Sequence, residues 1–144
     1  MLVVSLSNRQ SYFWFGLFAF GTIGFTLVQD NFRPNYHGNN ILIIYFLGIA
    51  PNYFAGLGLS SFFAVMIAHI NSTSKKPSPL VWLNSKVQIS SIIISVLGLS
   101  LWEFMQKFSI RGHFDWNDLV WTILGALTFY VIWIVIYRHS KNVN

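Results

Sequence analysis

The sequence predicts an all-α integral membrane bundle of four transmembrane helices, with a short broken or interfacial segment before the second. Three observations carry that prediction. Of the 144 residues, 54% are hydrophobic and 18% aromatic but only 9% are charged, whereas a soluble domain carries about a quarter charged residues. The mean hydropathy is positive, +0.55. The few charges sit at the ends of apolar runs long enough to cross a bilayer.

The net charge of +5 comes from cations scattered along the chain. They form no basic stripe of the kind that tracks phosphates, so no nucleic-acid partner is expected. With no cysteine, the chain offers no disulfide, thiolate metal ligand or cysteine nucleophile.

The first predicted span is 12–28, uncharged and rich in phenylalanine, just long enough for a hydrocarbon core of about 30 Å. Gln29-Asp30-Asn31 behind it lacks the small residues of a signal-peptide cleavage site, which predicts a retained helix. Asp30 to Asn40, with Pro34 and Gly38, reads as a loop. The apolar run from Ile41 to Ile70 would make a helix of about 45 Å, too long for one straight span. Pro51 is the expected break, since proline removes a backbone donor and disfavours helix in the residue before it. The division is then an interfacial or re-entrant segment over 41–50 and a second span over about 53–70. Broken backbone within a bilayer survives only beside protein or a wet cavity, which makes Asn52 a candidate pocket residue; the alternative is an ordinary kink in a tilted helix. Gly56 and Gly58 are expected to permit close helix packing.

A polar loop with Lys75 and Lys76 follows, and its sequon Asn71-Ser72-Thr73 is expected to be coincidental. The remaining spans are 87–105 and 119–137, and the whole chain, 1–144, is read as a single transmembrane domain. If the spans alternate, Arg9, Lys75, Lys76, Lys86, Arg138 and Lys141 share one face and Arg33, Lys107 and Arg111 the other. The excess of cations marks the first face as cytoplasmic, which predicts a protein integral to the cytoplasmic membrane with both termini in the cytoplasm. All four acids, Asp30, Glu103, Asp115 and Asp118, then fall on the outer side.

The outer stretch from Glu103 to Gly125 therefore concentrates the polar chemistry. Glu103, Gln106 and Lys107 share a helix face at i, i+3 and i+4. An ionised Glu103 one turn from the membrane boundary needs a partner or a cavity. Asp115 and Asp118 suit a helix N-cap and first turn, while Arg111 upstream could bridge Glu103 to Asp115 or Asp118 with its planar fork. His113, Asp115 and Asp118, with His37 on the same face, have oxygen and imidazole donors for a divalent ion, but no paired-histidine metal motif accompanies them. No metal or other cofactor is predicted. No ionisable residue lies near the middle of a span, which argues against a transporter.

Glu103, Gln106, Arg111, Phe114-Asp115, Asp118 and Gly125 resemble the shared pattern of the VanZ-like membrane proteins: Glu and Gln closing one span, a basic residue, then F-D-x-x-D opening the last span with a glycine seven residues on. Pro51-Asn52-Tyr53-Phe54-Ala55-Gly56 is similar to the Pro-Asn entrance of an earlier span in that family. Thr122 and Phe129 stand where family members often have Asn and Gly. The resemblance implies a small cell-envelope protein, of a family whose namesake is associated with reduced sensitivity to glycopeptide antibiotics. The expected function is non-enzymatic binding of an envelope lipid, a cell-wall precursor or a glycopeptide-related ligand by Asn52, Glu103, Gln106, Arg111, Asp115 and Asp118. Membrane lipids or an envelope protein are the expected partners. The alternative is a membrane-embedded enzyme using the outer carboxylates, with or without a divalent metal, on a lipid substrate, which requires an environment that separates their proton affinities.

Overall fold

The computed structural model describes residues 6–73, 86–106, 108 and 114–141. Its helices are α1 (Asn8–Thr26), α2 (Ile41–Thr73), α3 (Val87–Gln106) and α4 (Trp116–Lys141). Four helices are long and apolar enough to cross a membrane, and no strand occurs among the described residues. The all-α, four-span expectation is met. Leu97, Leu101, Val131 and Val135 remain more than half exposed, as side chains facing lipid do.

Side-chain caps set the helix starts. Ser7 and Gln10 form a reciprocal capping box on α1. Asn40 Oδ1 accepts from the backbone N–H of Leu42 at 3.0 Å and opens α2.

Two expectations are corrected. Asp30 to Asn40 is not a loop throughout: α1 continues through a π-helical turn (Leu27–Phe32) and a short turn (Arg33–Asn35), leaving Tyr36 to Asn40 as the connection. The segment 41–50 is not broken from the second span either. It is the start of α2, which runs unbroken through Pro51. Pro51 costs the Leu47 carbonyl its helical donor, about 3 kcal/mol in an ordinary helix, yet opening the helix inside a bilayer would strand several more backbone groups. Retaining the helix is the lesser cost. At 33 residues, α2 measures about 50 Å, so its ends extend past the hydrocarbon layer; Ile41 and Leu42 at its start are strongly exposed.

Helix α2 packs against each of the other three helices. Gly58 meets α1, where a Cβ built on Gly21 would lie 2.7 Å from the Gly58 Cα. Gly56 meets α4 at the Thr122 carbonyl, and Gly125 of α4 abuts the Tyr53 carbonyl. Two residues apart on a helix means about 200° of rotation, so Gly56 and Gly58 serve opposite faces. Close packing is indeed the role of these glycines. Tyr45 with Trp121 and Tyr53 with Thr128 pair by side-chain hydrogen bonds at 3.3 and 3.1 Å, showing that α2 and α4 run in the same direction.

Buried serines line the packed faces of α2 (Ser60, Ser61) and α3 (Ser90, Ser91, Ser95). Ser61, Ser91 and Ser95 donate to carbonyls of their own helices, leaving small surfaces that neighbours can approach. At the end of the bundle away from Asp115, Trp14 stacks on Trp133 at 5.0 Å and meets Phe129 edge-on at 5.2 Å. This aromatic cluster ties α1 to α4. No Cα of α1 comes within 8 Å of a Cα of α3 among the described residues.

Gly125→Leu should lower thermal stability in detergent by the roughly 1–3 kcal/mol typical of overpacking. Gly16→Ala, whose added Cβ would meet nothing within 4 Å, should be neutral or slightly stabilising. Equal melting temperatures for the two variants would contradict the packing described.

Candidate functional site

Helix α4 begins as its acids predict. Asp115 Oδ1 accepts from the backbone N–H of Asn117 at 2.9 Å, the N-cap bond. Asp118, one turn in, lies where the helix dipole favours negative charge. Its carboxylate also lies beside the Asn52 side chain of α2 and within electrostatic reach of the Arg33 guanidinium. Asp115 thus has a local structural role, and Asp118 a polar neighbour on another helix.

Glu103 is different. It is only 5% exposed on α3; its Oε1 accepts from Gln106 Nε2 at 3.0 Å, as the i, i+3 spacing anticipates. Its Oε2 is buried with no hydrogen-bond partner. Asp118 and Asp115 are near enough to act on it electrostatically, both as like charges when ionised. A buried acceptor left without a donor costs about 1–3 kcal/mol, more if charged. The fold tolerates that cost at a place where space adjoins the group.

That space is a cleft of about 1000 Å³. Asn52, Glu103, Gln106, Asp115 and Asp118, all singled out from the sequence, line it together. The sixth, Arg111, lies outside the described residues, as do Lys107 and His113, so the Arg111 clamp falls there too. Asp30 and His37 are exposed and do not line the cleft. No group of three or more His, Cys, Asp or Glu side chains among the described residues is arranged to hold a metal ion.

The cleft is bounded by α1, α2, α3 and the start of α4. Its polarity is graded. Phe18 and Phe25 of α1, Leu59 of α2 and Leu99 of α3 line its apolar part, whereas Gln29 and Arg33 from the continuation of α1 face Glu103, Gln106 and the α4 acids across its polar part. Pro51 and Gly48 form part of the α2 wall. Gln29 accepts from Arg33 Nη1 at 3.3 Å, which holds the guanidinium near the cleft.

Sequence reasoning missed Arg33 and Gln29 because it ended the first helix at Val28. Phe18, Thr22, Phe25, Gln29 and Arg33 recur at spacings of four, three, four and four, a single helical face that continues past Asp30. That periodicity was the available signal. Trp102 and Gly48 carried no comparable mark within uniformly apolar runs.

The N-cap assignment has a direct check in melting measurements on the purified protein. Asp115→Ala should cost about 1 kcal/mol, and Asp115→Ser should recover most of it, since serine also caps. If serine is no better than alanine, Asp115 is not held by its capping bond. Comparison with family models, curated proteins and solved structures finds no match.

Proposed function

We propose that this chain is a small VanZ-like protein of the cytoplasmic membrane, its termini in the cytoplasm, whose acidic cleft faces outward and binds an envelope ligand without transforming it. The ligand is a membrane lipid, a lipid-linked cell-wall precursor or a glycopeptide-related molecule; binding of the last kind would connect the protein to antibiotic resistance. One observation carries the reading: polar residues of three helices meet in a cleft of about 1000 Å³ around a buried carboxylate with one unsatisfied oxygen. The volume is that of a ligand pocket at its large end. The motif resemblance supports the same reading, because the residues that carry it are largely the ones that line the cleft. Binding is favoured over catalysis because Asp115 is engaged in capping α4 and Asp118 lies beside the Asn52 amide, while Glu103 keeps a buried oxygen without a partner.

The position of Gly48 permits a clean test. It lines the cleft, and a Cβ added there meets nothing within 4 Å. Gly48→Phe should fill the cleft while leaving the bundle folded. Native mass spectrometry of the full chain released from its own membrane should find a lipid or precursor retained by the unaltered protein and missing from Gly48→Phe. Identical retained molecules in both would indicate surface lipid and contradict the reading. Chemical turnover of a bound lipid, lost in Asp118→Asn, would replace it with that of a membrane enzyme.

Because the chain has no cysteine, single replacements report topology. In intact cells, Asn117→Cys should react with a membrane-impermeant maleimide and Ser7→Cys should not. The reverse pattern would invert the proposed orientation.

A further inference from the structure

We infer that the cleft takes a phospholipid sideways from the bilayer, between α1 and α3, and selects one whose phosphate is followed by a primary ammonium. This rests on the ligand-binding reading above and names the ligand's chemical class. Three observations converge on it.

The route comes first. Helices α1 and α3 both line the cleft, yet no Cα of one lies within 8 Å of a Cα of the other among the described residues. Their backbones are therefore not packed on each other, and the side chains that line the cleft from the two helices include the apolar Phe18, Phe25 and Leu99. A tail can therefore stay in the bilayer while its head occupies the site. The second observation is the gradient of polarity. Side chains lining the cleft change from apolar to charged toward the Asp115 end, following the layout of an amphiphile standing in one leaflet.

The third observation is the arrangement of charge. Arg33, exposed on the α1 side, is the only cation among the described residues that line the cleft. Its guanidinium suits a phosphate geometrically and electrostatically. The carboxylates of Glu103, Asp115 and Asp118 stand on α3 and α4. Among them, Glu103 Oε2 is buried, without a partner, in a residue 5% exposed. As a carboxylate it lacks a hydrogen-bond donor, which a primary ammonium has in triplicate and a quaternary ammonium lacks. An anionic head without nitrogen would meet several carboxylates and one cation. A phosphate with a primary ammonium matches both signs.

The test uses the full chain in detergent and phosphatidylethanolamine, phosphatidylcholine and phosphatidylglycerol with identical acyl chains, titrated by native mass spectrometry. Free phosphoethanolamine serves as the head group without tails. Phosphatidylethanolamine should bind at least about tenfold tighter than the other two lipids, the scale of one charge-assisted hydrogen bond. Free phosphoethanolamine should bind far more weakly. Glu103→Gln should reduce the preference to within about twofold while keeping phosphatidylcholine binding, and Arg33→Gln should weaken all three lipids by about tenfold without changing their order.

Equal affinity of the unaltered protein for the three lipids would overturn the ammonium assignment while leaving lipid binding in the cleft intact, and this comparison holds even if Glu103→Gln fails to fold. Phosphoethanolamine binding as tightly as its lipid would overturn the lateral route. Binding of all three lipids unaffected by Gly48→Phe would overturn the cleft reading itself.

Discussion

The close approach of three helix backbones at the Gly56-Leu57-Gly58 step of α2 is the constraint from which the rest of the bundle follows. Lipid tails are as apolar as leucine, so helices in a membrane gain little from burying apolar area against each other and associate through tight packing and polar contacts. The absence of a Cβ at Gly58 and Gly21 lets α1 lie on one face of α2, and glycines 56 and 125 let α4 lie on the opposite face. With those two positions fixed, α3 packs its backbone against α2 and α4 and not against α1 among the described residues. The cleft is the space that this arrangement leaves on α2.

The same arrangement explains how scarce charges come to share one place. Neither Asn52 nor Asp118 is near Glu103 in sequence, and each stands on its own helix. What unites them is depth: each lies within a turn or two of Pro51 or of a helix end, at the end of the bundle that holds Asp115. The cost of burying Glu103 is partly offset by Gln106. A fully packed interior would have required the other oxygen to find a donor as well. Beside the cleft, a bound molecule can provide one.

Much of this was legible in the sequence because a membrane span writes itself in composition. Uncharged runs gave the four helices, and acids so rare in an apolar chain stood out individually. The N-cap role of Asp115 followed from local spacing alone, and the packing role of Gly56 and Gly58 from their setting in an apolar helix. The course of the chain through Asp30 and Pro51 was less legible. Charge and proline are strong helix-stopping signals in water, where a freed backbone group finds solvent. A bilayer removes that outlet at Pro51, so the helix persists there, and α1 continues past Asp30 through a π-helical turn that brings the polar residues beyond Val28 onto its face. Arg33 was hidden for that reason: as a loop residue it was a topology marker, whereas on a helix it is part of the cleft.

The π-helical turn and Pro51, two irregularities of the described backbone, also occur where the cleft is. The π-helical turn of Leu27–Phe32 holds Gln29 and leads directly to Arg33, and Pro51 sits between Gly48 and Asn52 on the α2 wall. A widened turn and a missing donor each leave backbone carbonyls poorly satisfied, which hydrocarbon penalises and a polar cavity does not. Regular helix elsewhere and irregular helix here therefore have a common cause. A lipid-facing position would select against both defects, while the lining of a cleft large enough for water or a head group tolerates them. Tolerance of this kind explains how a proline and a charged face can persist in spans that are otherwise almost wholly apolar.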